Sequence, residues 1–596
     1  RLWSRHGGSL LMDPFYRKRY KLIGGPGCGK TTEAINILAR QFKGGLQPSQ
    51  MLMIGFARAT VTTLQEKTKA KFEWFSKDQL KSIKTIHKYG RDIACSGKEV
   101  FNSKAKREFV KKLKTDPDNW VMLDTVKDKN DEEFAVWDEK TDKKFATIFK
   151  LIGFARHSRK KTLEQILDFH SDHDDFNFSK VRRSEIKYCF NNLNLFKDAN
   201  NMIDFEDMLE YALKPNIHFP EYKVVILDEA QDLTSLEWKI IAKLGKTTEE
   251  MYLVGDDDQG IYGWKGSKVK IFLKWPCQEK HKTFLEHTHR LPTKIYTLAQ
   301  RIINDITPEN RIGGLKRKNY FPCPKECCNK ENFPGILETL HDLKELTEII
   351  KFDSNAIMCA RDWKLCKPYA EHLRDRGIIW KEKNKLQEHE GAFRSSFPEK
   401  ERGILKSWDE LKAGNGLNGK GVRTLITHLN PGLVQRGKKS ALINLDTCPE
   451  EFKDGEARFT FKDLSEKYFV LADIHKPWFD VFRFTTTRKY SKQTPNALFA
   501  DDDDFNNYLK NCYENDPTLE KANILLSTIH GVKGMERKKA IIRNDWGFSL
   551  NNYYSGLIDK EEEELRTCYV GVTRAQEELY ILNMGKQKNK FPYLIL

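Results

Sequence analysis

Residues 24–31 read GGPGCGKT and satisfy the pattern G-x-x-x-x-G-K-[ST]. The apolar pair Leu22-Ile23 precedes this stretch like the end of a buried strand, and apolar residues at helical spacing follow it between 34 and 39. Glycine lets the backbone close around a phosphate, and a helix N-terminus directs N–H groups towards it. Lys30 would then neutralise the β- and γ-phosphates, and the Thr31 hydroxyl would hold Mg²⁺. The order of strand, loop and helix predicts a phosphate-binding loop rather than a chance glycine-rich turn.

Length and charge narrow the class of protein. A chain of 596 residues has room for roughly three to five domain-sized units. The 102 Lys and Arg residues outnumber the 85 Asp and Glu residues, which gives a net charge of +17. Such an excess favours a polyanionic partner, either nucleic acid or a membrane surface, over a merely basic protein.

The sequence carries no sign of a membrane span or a secretion signal. No run of about 18 apolar residues occurs, and the apolar part of the N-terminal RLWSRHGGSLLMDP is too short for a signal peptide. Met12 is a candidate natural start, and because only fourteen residues follow Leu582 we expect no appended nuclease or zinc module. The twelve cysteines lack paired spacing, which suits a reducing compartment. We therefore expect a cytoplasmic protein, or a nuclear or viral one if the source is eukaryotic or a virus.

One cysteine cluster, FPCPKECCNK, places Cys323, Cys327 and Cys328 close together. A structural zinc site needs four ligands, and no second CxxC or HxxxH lies nearby. Ordinary loop thiols are the favoured interpretation.

A second motif, VVILDEAQD, occupies residues 224–232. Its apolar start is typical of a buried parallel strand, which would deliver Asp228 and Glu229 to the carboxyl end of a sheet, where ligands bind. Asp228 would hold Mg²⁺ directly or through a water, and Glu229 would orient and deprotonate an attacking water.

A third motif, MYLVGDDDQGIYGWKG, spans residues 251–266. The Gln259 amide can sense a γ-phosphate. Tyr262 and Trp264, beside Lys265 on a glycine-rich turn, suit stacking on single-stranded bases. Packing of the two rings in a core is the alternative.

The chain alternates between strand–loop–helix segments and stretches of different character. Residues 96 to about 200 are charged and helical in pattern. Each of their basic clusters is more typical of a solvated face than of a binding site. Residues 386 to 515 lack strong periodicity. We therefore expect two domains of strand–loop–helix type, each interrupted by an insertion. The predicted ranges are 1–95 and 204–284 for a first domain interrupted by a helical insertion at 96–203, and 285–385 and 516–596 for a second domain interrupted by an insertion at 386–515.

Taken together, eight blocks resemble the UvrD/Rep-like superfamily 1 DNA helicases in the order of that family. They are GGPGCGKT, GFARAT, TIH, LDEAQD, VGDDDQGIYGWKG, HTHR, TIHGVKGME and YVGVTRA, between residues 24 and 575. The resemblance implies an α/β fold with two RecA-like P-loop motor domains, parallel sheets and mainly helical or mixed insertions. It also implies an ATP-dependent enzyme that uses Mg²⁺ and ATP between its motor domains and moves 3′-to-5′ on single-stranded DNA, with roles in DNA repair or replication.

The resemblance also implies roles for individual residues. Arg290 and Arg574 look like two arginine fingers beside the catalytic Glu229 and Gln259, and Glu536 matches an acid that contacts the ribose. The implied nucleotide-binding set is Gly24, Gly25, Pro26, Gly27, Cys28, Gly29, Lys30, Thr31, Thr32, Gly534 and Glu536. Thr31 and Asp228 are the implied metal ligands. Positions near DNA are Phe56, Arg58, His87, Tyr262, Trp264 and His530.

The chain departs from the family pattern at three points in its motifs, and its second insertion looks shorter and less like that of the family. The chain has Thr288-His289-Arg290 where the family has Asn-Tyr-Arg, Arg58 where the family has asparagine, and no glutamine before Gln41. These departures put base recognition and strand selectivity in doubt rather than hydrolysis.

Three functions fit these observations. The first is a DNA helicase acting on single-stranded and 3′-tailed duplex DNA, with an unidentified loading, repair or replication partner. The second is a translocase that strips proteins from DNA with little unwinding. The third, a DNA-binding protein that uses ATP only as a switch, is disfavoured because Glu229, Gln259, Arg290 and Arg574 are all present. An RNA helicase is a weaker alternative.

Overall fold

The computed structural model describes most of the chain. The described residues are 18–56, 58–95, 97–114, 139–172, 181–311, 321–322, 334–382, 394–444, 447–453, 457–470, 473–486, 499–519, 523–546, 558–584 and 590–595. The candidate zinc cysteines at 323, 327 and 328 lie outside these ranges. The chain divides into two compact units, Arg1–Gly335 with Tyr553–Thr573 and Ile336–Asn552 with Arg574–Leu596.

The first unit is built on a six-stranded sheet whose neighbouring strands all run parallel. In sheet order the strands are Ile83–Thr85, Met51–Gly55, Tyr222–Leu227, Thr248–Gly255, Arg19–Gly24 and Lys282–Leu285. Two short parallel pairs accompany it, Glu99–Val100 with Met202–Ile203 and His287–Thr288 with Phe321–Pro322. Because all six strands run the same way, the loops that follow them share one edge of the sheet.

Successive residues of these strands face two different cores, as the period of two in a strand requires. Val225 and Leu227 belong to one hydrophobic cluster with helix Ser235–Gly245, and Val224 and Ile226 belong to another with helix Lys30–Lys43. Apolar side chains are therefore needed on both faces, which explains the unbroken apolar run of VVIL.

Helices cover both faces of the first sheet and make up most of the described residues between 103 and 199. The α-helices of the first unit are Lys30–Lys43, Arg58–Lys71, Lys77–Lys81, Ile86–Ala94, Ser103–Lys114, Glu139–His157, Leu163–Asp172, Arg183–Ala199, Phe205–Ala212, Ser235–Gly245, Val269–Lys274, Thr293–Ile303 and Ile558–Val572. Its 3₁₀ turns are Pro48–Gln50, Ala230–Asp232, Asp257–Gln259, Gly263–Lys265, Glu279–His281 and Pro308–Asn310.

The helical region has a core of its own, from Phe101 to Phe196, separate from the cores of the sheet. It is tied to helix Phe205–Ala212 by buried ion pairs. Arg156 donates to Asp207 at 2.6 Å, and Lys197 donates to the same carboxylate at 2.7 Å. The helices at 103–199 thus form a mainly helical subdomain anchored by charge to the sheet-bearing part.

The second unit is built on a seven-stranded sheet. In sheet order its strands are Ile336–Leu340, Ala575–Leu582, Arg537–Arg543, Ala356–Ala360, Ile524–Thr528, Trp380–Glu382 and Arg394–Ser395. All neighbours are parallel except the last pair, which is antiparallel. A two-stranded antiparallel sheet joins Leu417–Asn418 to Arg458–Phe459.

The remaining elements of the second unit are mostly helical. Its α-helices are Leu346–Ile349, Trp363–Asp375, Glu399–Lys412, Gly419–His428, Lys438–Ile443, Glu450–Lys453, Phe461–Lys467, Trp478–Val481 and Asp502–Asn515. Its 3₁₀ turns are Leu343–Glu345, Pro431–Leu433 and Pro592–Leu594. One continuous hydrophobic cluster joins the sheet to these helices, so the second helical region shares its core with the sheet.

These observations confirm the predicted fold class, α/β with two large, mainly parallel sheets and helical regions in each half. The division into units differs from the predicted start of a second domain at residue 285. Strand Lys282–Leu285 pairs with Arg19–Gly24, and helix Thr293–Ile303 packs against Ile558–Val572 in the first unit. The predicted domain ranges stay predictions. Within the described ranges, no helix combines the length and the apolar character that crossing a membrane requires.

Candidate nucleotide site and aromatic surface

The loop at 24–31 joins strand Arg19–Gly24 to helix Lys30–Lys43, as predicted. Gly27 and Gly29 have φ angles of 73° and 82°, in the left-handed region that glycine enters without steric cost. A Cβ on Gly27 would lie 2.4 Å from the Cβ of Arg290, whereas a Cβ on Gly29 would meet nothing within 4 Å. The loop is thus closed on one side by residue 290 and open at the start of the helix, where an anion binds.

Lys30 is nearly buried, with 8% of its surface exposed. Its Nζ donates to the carbonyl oxygens of Gly24 at 2.8 Å and Gly25 at 2.9 Å. The Lys30 ammonium therefore lies over the loop at 24–31, where it is predicted to bind phosphate. The other predicted residues of this loop are Pro26, Cys28 and Thr32, of which Cys28 is buried.

Asp228 follows strand Tyr222–Leu227 and is buried. The Thr31 hydroxyl donates to its Oδ2 at 3.2 Å. Burial, with the negative charge of Glu229 as a second cause, raises the pKa of Asp228 to about 7. A buried carboxylate beside a hydroxyl is a hard oxygen donor set that lacks positive charge, so these residues fit Mg²⁺.

Glu229 adopts a left-handed backbone conformation with φ of 55°, which is uncommon for a residue with a side chain. Its N–H donates to Asp228 Oδ1 at 3.0 Å, and its carboxylate accepts from the amide of Gln231. Gln231 Oε1 in turn accepts from the N–H of Asp256 at 3.0 Å. Gln231 thereby fixes the carboxylate of Glu229 to the end of the neighbouring strand.

Gln259 lies in the turn Asp257–Gln259 and is 5% exposed. Its Nε2 donates to Asp256 Oδ2 at 2.7 Å. A continuous chain of hydrogen bonds therefore runs from Glu229 through Gln231 and Asp256 to Gln259. The structure brings these predicted residues to one edge of the sheet.

The segment 288–290 packs directly on the phosphate loop within the first unit. The hydroxyl of Thr288 donates to Pro26 O at 2.6 Å, and the N–H of His289 donates to Gly27 O at 3.0 Å. Nη1 of Arg290 donates to Thr573 O at 3.3 Å. Arg290 is thus held at the loop by the side-chain hydroxyl of Thr288 and the main-chain N–H of His289.

Four predicted residues belong to the second unit, namely His530, Gly534, Glu536 and Arg574. Arg574 is fully buried, and its Nη1 donates to Met535 O at 3.0 Å, in the loop that carries Gly534 and Glu536. His530 lies in the turn after strand Ile524–Thr528. The second unit therefore gathers Arg574 and the 534–536 loop in one place.

Three predicted aromatic residues form a row in the first unit. Phe56 and Tyr262 stack with ring centroids 5.3 Å apart, and Tyr262 meets Trp264 edge-on at 6.2 Å. Lys265 Nζ lies 5.2 Å from the centroid of the Phe56 ring. Trp264 is 37% exposed, which does not fit the core-packing alternative for this ring.

His87 and Arg58 lie on the two elements that follow neighbouring strands. Arg58 begins helix Arg58–Lys71, although its side chain is outside the described part. His87 is half-buried, with ring contacts to His157 at 6.2 Å and Phe205 at 5.6 Å. Burial lowers the pKa of His87 to about 4, so its imidazole is neutral at pH 7.

Sequence reasoning missed several residues that support this site. Gln231 is part of the DEAQD motif, directly after a predicted strand, and this position was a signal that it lies near the site. Four more residues contact the site from far along the chain. Phe154 and Glu563 contact Trp264. Arg311 donates to Asp258, and Arg566 donates to Asp257. They are separated from these partners by 53 residues or more, and no local pattern marks them.

In the described part, the acids Asp256, Asp257 and Asp258 form the one cluster whose oxygens are close enough to share a metal ion. Asp256 accepts from Gln259, and Asp258 accepts from Arg311. These hydrogen bonds give the cluster a structural role.

The G-x-x-x-x-G-K-[ST] loop between a strand and a helix, with acids at the ends of neighbouring parallel strands, defines the class of P-loop α/β proteins. Residues 12–279 match the family described as the UvrD/REP helicase N-terminal domain, and residues 484–586 match the UvrD-like helicase C-terminal domain. The two matches together cover more than half of the chain. The chain belongs to the UvrD/Rep-like helicases.

Individual relatives agree with this assignment. The chain is 24% identical over 491 residues to a probable DNA helicase II homolog from Mycoplasma pneumoniae. The aligned region covers 72% of this chain and 65% of the relative. A homolog from Mycoplasma capricolum is 23% identical over 95% of this chain and 82% of the relative. The ATP-dependent DNA helicase PcrA of Bacillus subtilis is 21% identical over 64% of this chain and 59% of the relative. The chain thus spans about two thirds of the length of the first relative.

Proposed function

We propose that this chain is an ATP-dependent DNA helicase that moves 3′-to-5′ on single-stranded DNA and unwinds duplex DNA as it hydrolyses ATP. The observation that carries the proposal is the hydrogen-bonded chain from Glu229 to Gln259 beside the phosphate loop, in the same unit as an aromatic row with exposed Trp264 at its end. Family membership and the names of the relatives support DNA as the substrate. The net charge of +17 suits that substrate.

The side chains of the first unit divide the work of hydrolysis. Lys30 would exchange its bonds to the loop carbonyls for bonds to phosphate oxygens, since a charged acceptor is stronger than a carbonyl. Asp228 and Thr31 would hold Mg²⁺, which when bound supplies positive charge to the phosphates. The Glu229 carboxylate, oriented by Gln231, would take a proton from the attacking water.

Two side chains of the first unit are proposed to act on the transition state. Gln259 would present its amide to the γ-phosphate, and Arg290 would place a guanidinium at the phosphate loop on which its neighbours pack. Arg574 and Glu536 of the second unit are proposed as the second arginine and the ribose contact. Their roles rest on the family resemblance and on their common location at the 534–536 loop.

The aromatic row gives the proposed grip on DNA. Phe56, Tyr262 and Trp264 present rings on which bases can stack without regard to sequence, and Lys265 adds a positive charge for the backbone. Arg58, His87 and His530 are proposed as further positions near DNA. Of these, His87 would act as a neutral imidazole at pH 7.

A strand-displacement assay with 3′-tailed and 5′-tailed duplexes tests the proposal. We expect displacement of the 3′-tailed duplex only, with ATP and Mg²⁺ and not with a non-hydrolysable analogue. Lys30→Ala is the matched inactive control. Hydrolysis stimulated by DNA without displacement of either duplex would favour the protein-stripping translocase, and displacement from the 5′ tail would contradict the proposed direction.

A further inference from the structure

A carboxylate far along the chain holds the main chain of the aromatic turn Gly263–Lys265. Oε1 of Glu563 accepts a hydrogen bond from the N–H of Trp264 at 3.2 Å. A Cβ on Gly263 would lie 2.6 Å from Oε2 of the same carboxylate, closer than any side chain could remain. The carboxylate of Glu563 therefore fits at this position because residue 263 is a glycine.

The opposite side of the turn packs on the helical subdomain. The ring of Phe154 meets Trp264 edge-on with centroids 5.4 Å apart. Gly266 has a φ of 96°, and a Cβ there would lie 3.1 Å from Ser158 Oγ. The main chain of Trp264 is thus held by Glu563 and its indole ring by Phe154, while 37% of the residue surface stays exposed.

The helix that carries Glu563, Ile558–Val572, also reaches the nucleotide site. Arg566, three residues further on, donates through Nε to Asp257 O at 3.1 Å, two residues before Gln259. The main chain just past the helix accepts from Arg290, at Thr573 O. A helix of 15 residues is about 22 Å long and nearly rigid. The helix therefore contacts the aromatic turn and the turn that holds Gln259, and the residue that follows the helix contacts Arg290.

We propose that Glu563 is a positioning residue for DNA binding, which fixes Trp264 in its stacking orientation and joins the aromatic row to helix Ile558–Val572. This inference rests on the proposed function. The anchored turn has less conformational freedom to lose when a base stacks on it, so the anchor favours binding without touching DNA. Through Glu563, the position of the aromatic turn Gly263–Lys265 depends on helix Ile558–Val572. The same helix contacts the turn that holds Gln259.

The test measures ATP hydrolysis against the concentration of an oligothymidylate, together with oligonucleotide binding by fluorescence anisotropy. For Glu563→Ala we expect about tenfold more oligonucleotide at half-maximal stimulation, with a much smaller change in the rate at saturation, since a hydrogen bond to a charged acceptor is lost. Glu563→Gln keeps an acceptor for the N–H and should stay within about twofold of wild type. Glu561→Ala, an exposed neighbour on the same helix, should match wild type.

A double-mutant cycle with residue 263 sharpens the test. Gly263→Ala should displace the carboxylate and give a similar loss, because its Cβ takes the space of Oε2. The pair Gly263→Ala with Glu563→Ala should then lose about tenfold rather than a hundredfold, since both changes remove one contact. Thermal melting of each variant checks that the first unit remains folded.

The outcomes distinguish a failure of the inference alone from a failure of the proposed function. Wild-type half-saturation for Glu563→Ala would overturn the inference and leave the helicase proposal standing. Equal losses in Glu563→Gln and Glu563→Ala would also overturn it, because the accepted hydrogen bond would not matter. A wild-type chain whose hydrolysis does not respond to DNA would overturn the proposed function and the inference with it.

Discussion

Arg311 donates two hydrogen bonds to the carboxylate of Asp258, from Nε and Nη2, each at 2.8 Å. Both side chains are almost fully buried. The negative charge of Asp258 raises the pKa of Arg311 against the opposing effect of burial. The pair joins the chain after helix Thr293–Ile303 to the turn that carries Gln259, so it fixes that turn from outside the sheet.

Asp258→Asn should destabilise the first unit strongly, because it leaves the guanidinium of Arg311 buried without a full counter-charge. Breaking a buried pair in this way costs about 3–5 kcal/mol. Urea unfolding followed by tryptophan fluorescence measures the change. Lys81→Ala breaks the exposed pair with Asp78 and is the matched control, for which we expect little change. A stability of Asp258→Asn equal to that of the control would show that the pair is not needed for folding.

Glu229→Gln should keep ATP binding and nearly abolish turnover. The amide is close in shape to the carboxylate but cannot take a proton from water. Nucleotide binding by a fluorescent ATP analogue and steady-state phosphate release separate the two effects. Lys30→Ala should instead weaken binding itself, because it removes the ammonium over the phosphate loop. Hydrolysis at the wild-type rate by Glu229→Gln would show that another group is the base.

Arg290→Ala should lower the turnover rate by about 10³ or more, the usual contribution of an arginine at a transferred phosphoryl group. ATP binding should weaken far less, because the contacts of the loop with Thr288 and His289 are made by other groups. Single-turnover hydrolysis measures the chemical step directly. Arg301→Ala, on the exposed face of the next helix, is the charge-matched control. A variant that unwinds DNA normally while hydrolysing slowly would contradict the role.

His87 should make the stability of the first unit depend on pH in the acidic range. Its ring is faced by Glu237, Glu206, His157 and Lys265, and burial lowers its pKa to about 4. An unfolded histidine titrates near 6.5. Between pH 6.5 and 4 the unfolded chain therefore binds a proton that the native chain does not, so stability present above pH 6.5 is lost as the pH falls.

Thermal melting at pH 7.5 and pH 5.0 tests this dependence. We expect the wild-type melting temperature to fall more between the two values than that of His87→Gln, which cannot titrate. The exposed His475→Gln variant should follow the wild type. Identical pH dependence in the wild type and His87→Gln would show that the His87 imidazole is protonated as readily in the folded chain as in the unfolded chain.

The parts of the fold that sequence predicted were those with local patterns. The apolar run before Asp228 and the glycines of the loop depend on residues a few positions apart, and both lie where expected. The pair of Arg311 with Asp258 and the contact of Glu563 with Trp264 join residues 53 and 299 positions apart. The hydrophobic periodicity of the sequence does not predict such contacts, because they depend on how separate helices and turns pack against one another.

The last prediction concerns the choice of nucleotide. A site distinguishes adenine from guanine by hydrogen bonds to the base edge, where a buried group left unpaired costs about 1–3 kcal/mol. Residues 1–40 contain no glutamine to make the contact that the family makes, and His289 stands where the family has a tyrosine that stacks on the base. Stacking on an imidazole tolerates any base, since every base offers a π-face. The proposed partners of Lys30, Thr31 and Asp228 are the phosphates and Mg²⁺, which are common to all nucleoside triphosphates. We therefore expect GTP to support DNA-stimulated hydrolysis within about tenfold of ATP, a difference of about 1.4 kcal/mol. Side-by-side kcat/KM values for ATP and GTP measure this, with His289→Tyr as the variant that restores the family residue. A preference for ATP of about a hundredfold, or about 2.7 kcal/mol, would show that another group reads the adenine edge.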